Sequence, residues 1–285
     1  MLVAFKFTHA GTCLRALLLA VVCTFLPAFA AHACGEDTDC KLGDRTYRIA
    51  VPADGEPPKG AIIFAHGYRG TAAGVMRNRS MKRAVTGLGL ALVAPKSARQ
   101  DWDIPNAPRP GKFLEKAYFR DLKAALVERH GIDGDRIMMS GFSAGGMMVW
   151  NTACHMGDLF AAYVPIAGTF WYPVPDQCTT LPVSIIHIHG TSDRIVPLKG
   201  RPIGPTRQGN VYNALKLAVQ TGGFDAWKTV GNGGTQKHPL ACQERQATAG
   251  GHILRFCLHD GGHTIRSAWL VKAWQALEAK GAFRR

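Results

Sequence analysis

Short apolar runs recur along the chain, at Tyr47 to Val51, Ala61 to Ala65, Leu90 to Pro95, Arg136 to Ser140, Ala161 to Ile166, Val183 to His189 and His252 to Leu258. Their length and continuous apolar character predict strands buried on both faces. Between them, Lys116 to His130, Met147 to Cys154, Val211 to Gln220 and Ser267 to Ala279 space their apolar residues as helices do. This alternation predicts an α/β fold, a mostly parallel central sheet with helices on both faces. Reacting groups in such folds stand on loops beyond the strand C-termini. Two segments interrupt the pattern: Lys96 to Lys112, which holds Trp102 and several prolines, and Pro197 to Asn210, rich in Gly, Pro and Arg. Long loops in a compact domain carry function or are disordered. These two are expected to rim the site, with Trp102 and Trp171 touching substrate.

The pattern differs before residue 34. Lys6 and Arg15 precede an apolar run from Ala16 to Leu26, and Ala28, Ala30, Ala31 and Ala33 follow as small residues suited to cleavage. That order is a secretory leader's, and the apolar part is short for a membrane span. The expected organisation is a leader over 1–33 and one folded domain over 34–285, secreted or periplasmic, with no stable membrane insertion once the leader is removed. The alternatives are an uncleaved anchor and lipidation at Cys34, where Ala31-His32-Ala33 lacks the usual leucine.

Export changes the reading of the cysteines. Cys34, Cys40, Cys154, Cys178, Cys242 and Cys257 remain after the leader, and an even count in an oxidising compartment points to three disulfides. Several connectivities are open; the most local one, Cys34–Cys40, Cys154–Cys178 and Cys242–Cys257, is preferred. No Cys/His cluster has zinc-ligand spacing, so no metal is expected. The formal net charge is +14 at pH 7. Such a field concentrates anionic partners. The cations are nonetheless scattered, without a dense run or an aromatic-studded strand, which argues against nucleic acid.

The candidate chemistry centres on Gly141-Phe-Ser-Ala-Gly-Gly146, set between an apolar strand and a helix-compatible segment. A G-x-S-x-G sequence in that setting is a nucleophile elbow, a sharp turn that exposes the hydroxyl of Ser143. Side chains at Gly141 and Gly145 would collide with the passing strand and helix. A serine hydroxyl needs a base, and the base needs an orienting group. Asp193, in the loop after the strand ending at His189, and His263, in His259-Asp-Gly-Gly-His-Thr264, follow in the order Ser, Asp, His. A backbone-bonded turn is the alternative use of Asp193, and Asp176 and Asp225 are weaker candidates because neither follows a clear strand. His187 and His189 alternate along a strand and read as packed. The loop Ala65-His-Gly-Tyr-Arg-Gly70 is expected to supply an oxyanion donor, the N–H of Tyr68, beside the N–H of Ala144, with His66 orienting the loop.

Taken together, Ile62-Ile-Phe-Ala-His-Gly-Tyr68, Gly131-Ile-Asp-Gly-Asp-Arg-Ile137, Gly141-Phe-Ser-Ala-Gly-Gly-Met-Met148, His189-Gly-Thr-Ser-Asp193 and Asp260-Gly-Gly-His263 resemble the secreted polyhydroxybutyrate depolymerase and feruloyl esterase group of α/β-hydrolases. The resemblance implies an α/β-hydrolase catalytic domain over 34–285, a triad of Ser143, Asp193 and His263, oxyanion donors at Tyr68 and Ala144, and no cofactor. It implies a serine carboxylesterase acting on small or oligomeric esters through an acyl-enzyme. The chain ends soon after its last helix, whereas polymer-degrading members carry a separate polymer-binding domain, so soluble esters are expected over solid polyester. The rival functions are a serine peptidase of the prolyl-oligopeptidase type, which normally adds a gating domain, and an exported binding protein that has lost activity.

Overall fold

The computed structural model describes residues 1–4, 34–109 and 115–283; nearly all of the expected leader lies outside them. The strands are β1 (Cys40–Leu42), β2 (Arg45–Ala50), β3 (Ala61–Ala65), β4 (Ala91–Pro95), β5 (Ile137–Phe142), β6 (Ala162–Ile166), β7 (Ser184–Gly190), β8 (Pro202–Ile203), β9 (Thr206–Arg207), β10 (Lys228–Asn232), β11 (Ala241–Gln246) and β12 (Ile253–His259). The helices are α1 (Ala72–Arg77), α2 (Arg79–Thr86), α3 (Glu115–His130), α4 (Ala144–His155), α5 (Val211–Gly222) and α6 (Ser267–Ala279).

The main sheet runs β1-β2-β4-β3-β5-β6-β7-β12-β11-β10. Its centre, β4-β3-β5-β6-β7-β12, is parallel throughout, and the strands added at either edge pair antiparallel. Every residue of β3, β4, β6 and β7 is buried because both sheet faces are covered. Successive side chains point to opposite faces. Ile62 and Phe64 of β3 accordingly join Val85 of α2 and Leu270 of α6 in one apolar layer, while Ile63 joins Leu122 of α3, Met148 of α4 and Leu215 of α5 in the other. Three disulfides, Cys34–Cys40, Cys154–Cys178 and Cys242–Cys257, tie the chain locally, in the pairing preferred from the sequence.

The seven strands and four helices read from the apolar pattern are all present, with ends moved by at most three residues. The largest shift is at α4, which starts at Ala144 rather than Met147 because the turn at Ser143, and not the apolar spacing, begins it. The elements without a sequence signal are short or exposed. The five residues of β10 are all exposed and so lack the alternation that marks a half-buried strand. The helices α1 and α2 rest on caps instead of a long apolar face: Thr71 Oγ1 accepts from the Gly74 N–H at 2.9 Å, and Asn78 Oδ1 from the Met81 N–H at 3.0 Å. The segment from Pro197 to Asn210, expected as a plain loop, contains the β8–β9 hairpin.

Candidate active site

Ser143 is the hinge between β5 and α4. Its backbone lies at φ 58° and ψ −120°, a left-handed conformation that costs on the order of 1–3 kcal/mol and persists only where its surroundings impose it. Those surroundings are visible. The Ser143 N–H donates to Ile166 O of β6 at 2.9 Å, and Ser143 O accepts from the Met147 N–H at 2.9 Å. A Cβ on Gly145 would overlap the Ala65 carbonyl of β3, and one on Gly141 would press on the Gly145 backbone. The absence of both side chains lets α4 start hard against two strands.

The Asp193 loop follows β7 and the His263 loop follows β12, its parallel neighbour, so both leave the sheet at the same end. Main-chain bonds lace them together: the Thr191 N–H donates to His259 O at 2.8 Å and the Ser192 N–H to Gly261 O at 3.2 Å. Asp193 divides its carboxylate. Oδ1 accepts from the N–H groups of Ile195 and Val196 at 2.8 and 2.9 Å, the turn-forming use weighed from the sequence, while Oδ2 accepts from His263 Nδ1 at 2.7 Å. Burial acts to raise the Asp193 carboxyl, and the bonds from His263, Val196 and Ile195 outweigh it, holding the group below its ordinary value. An ionised carboxylate only accepts, so His263 carries its proton on Nδ1 and leaves Nε2 as the lone-pair nitrogen.

The structure sets the imidazole beside the serine strand, with the ring centroids of His263 and Phe142 4.6 Å apart. Among the described residues, no hydrogen bond joins Ser143 Oγ to His263. Unliganded sites commonly hold such pairs loosely and tighten them around substrate.

A buried chain of donors supports the aspartate loop from below. Trp150 Nε1, which can only donate, lies 3.1 Å from His187 Nδ1. His187 Nε2 lies 3.0 Å from His189 Nδ1, and His189 Nε2 lies 2.7 Å from Val196 O and 3.5 Å from Asp193 Oδ2. Burial lowers both histidines, His187 well below the usual imidazole value, and keeps them neutral. With the first donor fixed, each neutral ring must accept on Nδ1 and donate from Nε2. The two histidines are packed, as their alternation predicts, and they also end on the turn that carries Asp193.

Tyr68, Trp102, Ser143, Ala144 and Trp171 share the wall of one cavity of about 420 Å³. This brings together the expected oxyanion loop, nucleophile and substrate-contacting tryptophans. Ala144 opens α4, where backbone N–H groups lack intrahelical partners. Trp102 is buried, and its Nε1–H donates to His66 O at 2.7 Å, clamping the Tyr68 loop. His66 itself is buried, with Nδ1 2.9 Å from Gly67 O, the orienting part expected of it. Both long loops reach the cavity and bring residues that motif reading passed over: Arg99 and Arg109 from one, Arg201 and Gln208 from the other. Their signal was present as the basic content of the loops. Potential metal donors group at Cys34, Cys40 and His130, where both sulfurs are taken by a disulfide.

The parallel sheet, the serine turn and the order Ser, Asp, His at one end of it define an α/β-hydrolase fold. Residues 118–203 are similar to the phospholipase/carboxylesterase family. The candidate esterase NocK of Nocardia uniformis subsp. tsuyamanensis is 25% identical over 243 residues, 77% of this chain and 70% of that one. The bifunctional acetylxylan esterase/xylanase XynS20E of Neocallimastix patriciarum is 22% identical over 154 residues, 53% of this chain, which spans only 22% of that longer protein. The acetyl xylan esterase from Aspergillus awamori superposes with a TM-score of 0.60 at 16% identity, covering 86% of this chain and 98% of that one.

Proposed function

We propose that this chain is an exported serine carboxylesterase. The observation that supports the reading is Ser143 at a left-handed turn opening α4, with the Asp193–His263 pair carried on neighbouring parallel strands and the His263 ring against Phe142, the residue before the serine. In this reading Ser143 Oγ attacks the ester carbonyl while His263 Nε2 takes its proton, and Asp193 stabilises the imidazolium that forms. The N–H groups of Tyr68 and Ala144 receive the oxyanion. Protonated His263 then returns the proton to the departing alcohol, and a water activated by the same nitrogen hydrolyses the acyl-enzyme. Losing one oxyanion donor costs on the order of a hundredfold or more in rate.

The resemblance implies hydroxybutyrate oligomers and feruloyl-type esters as substrates. A cavity of about 420 Å³ holding Trp102 and Trp171 suits one acyl unit with an aromatic wall, and a sequence relative named for acetylxylan supports an ester carried on a carbohydrate. Three disulfides agree with an oxidising compartment, and no helix among the described residues is long and apolar enough to cross a membrane.

The test is a panel of p-nitrophenyl esters, methyl ferulate, hydroxybutyrate oligomers and a peptide anilide, with phosphonate labelling of wild type and Ser143→Ala. Ester turnover and labelling lost in the variant are expected. Hydrolysis of the anilide alone would point to the peptidase, and no turnover or labelling at all to a binding protein.

A further inference from the structure

We propose that the ester cleaved at Ser143 is carried on an acidic carbohydrate, a chain with many hydroxyls and repeated carboxylates. The proposal rests on the esterase reading and adds to it the chemistry of the substrate's remainder. The Ser143 cavity is not isolated. Arg99 and Gln100 stand in its wall and also in that of a second cavity of about 660 Å³, where Arg69, Lys96 and His66 join them. The two spaces share Arg99 and Gln100, and together they give room for more than one acyl group.

Cations outnumber carboxylates in the two walls, six (Arg48, Arg69, Lys96, Arg99, Arg109 and Arg201) to three (Asp39, Asp101 and Asp103). Arg48 is paired with Asp39 at 2.5 Å. Among the described residues Arg69, Lys96, Arg99, Arg109 and Arg201 make no ion pair. Arg201 is held by Nε, which donates to Ile195 O at 2.8 Å, and this leaves its terminal nitrogens for a ligand. A guanidinium fork is matched best by a carboxylate. Asp101, with Arg109 beside it, offsets part of this charge.

A second feature specifies hydroxyls. His66, 3% exposed, directs Nδ1–H to Gly67 O, so its buried Nε2 is an acceptor, and it has no partner. Gln208, 5% exposed and in the wall of the Ser143 cavity, likewise has an unpartnered Oε1. Side-chain amide orientation is assigned from its surroundings, yet in either orientation the group offers an acceptor and donors. Buried polar groups are normally satisfied. A carboxylate cannot donate to these acceptors, whereas a hydroxyl can. A ligand with both groups along its length would meet the cations and these acceptors together; a hydroxy-acid polyester carries one of each, at its two ends.

The experiment follows p-nitrophenyl acetate hydrolysis by the full chain, with unesterified oligogalacturonide and a neutral xylo-oligosaccharide of equal length as competitors. The acidic chain should inhibit competitively with a constant at least about tenfold lower than the neutral one. The gap should shrink in about 0.5 M NaCl, where charges are screened beyond a few ångströms, and in the Lys96→Glu/Arg99→Glu variant. Equal or absent inhibition while p-nitrophenyl acetate is cleaved would overturn this inference and leave the esterase reading standing. Failure to cleave any ester would overturn the esterase reading instead, and calorimetric titration with the two oligosaccharides would then decide between acidic and neutral chains directly.

Discussion

His263 Nδ1 lies 2.7 Å from Asp193 Oδ2, across a sequence separation of 70 residues. In the proposed mechanism this contact fixes which imidazole nitrogen is left for the serine. Asp193→Asn should therefore lower kcat/KM on p-nitrophenyl acetate by about 10³–10⁴, because an amide can donate and so favours the wrong tautomer. Steady-state kinetics that find less than a tenfold loss would remove Asp193 from the triad.

The same carboxylate makes a pH-dependent contribution to stability. Its folded value is depressed, so the contribution is complete above the unfolded value, about 3.9, and is lost as pH falls through the folded one. Wild type should exceed Asp193→Asn by about 1–3 kcal/mol near neutrality. In urea titrations the gap should close below about pH 4; a constant gap down to acid would show that the carboxylate charge does not matter.

His187 and His189 act in the same direction at higher pH. Burial lowers both, so the unfolded chain binds protons that the folded one excludes. Stability is complete above about pH 6.5 and falls on acidification, by up to about 1.4 kcal/mol per pH unit for each histidine. His187→Leu should flatten that slope by one proton, measured by urea unfolding between about pH 7 and 5. An unchanged slope would mean that the ring is protonated in the fold.

The serine turn yields a paired prediction. Ser143→Gly relieves the left-handed strain at φ 58° and should raise Tm by about 2–4 °C while ending ester hydrolysis. Gly145→Ala drives a methyl into the Ala65 carbonyl and should lower stability by about 3 kcal/mol or more, read as a Tm loss near 10 °C. A Gly145→Ala protein as stable as wild type would show that α4 does not press on β3 as described.

Much of this molecule was legible before any coordinates because its central strands are buried on both faces. Each then appears as an unbroken apolar run, and the glycines of Gly141-Phe-Ser-Ala-Gly-Gly146 follow from backbone crowding that a local pattern encodes. The strand order Ser, Asp, His was readable for the same reason, since each loop comes directly after a recognisable strand. Three properties were not local. That β7 and β12 are neighbours, and so bring Asp193 to His263, depends on the pairing of strands far apart in sequence. The donor chain from Trp150 through His187 and His189 joins a helix, a strand and a loop that only packing places in line. The basic residues of the two long loops looked scattered along the chain; folding collects Arg99, Arg109 and Arg201 around one cavity, because loops leaving the same end of a parallel sheet converge there.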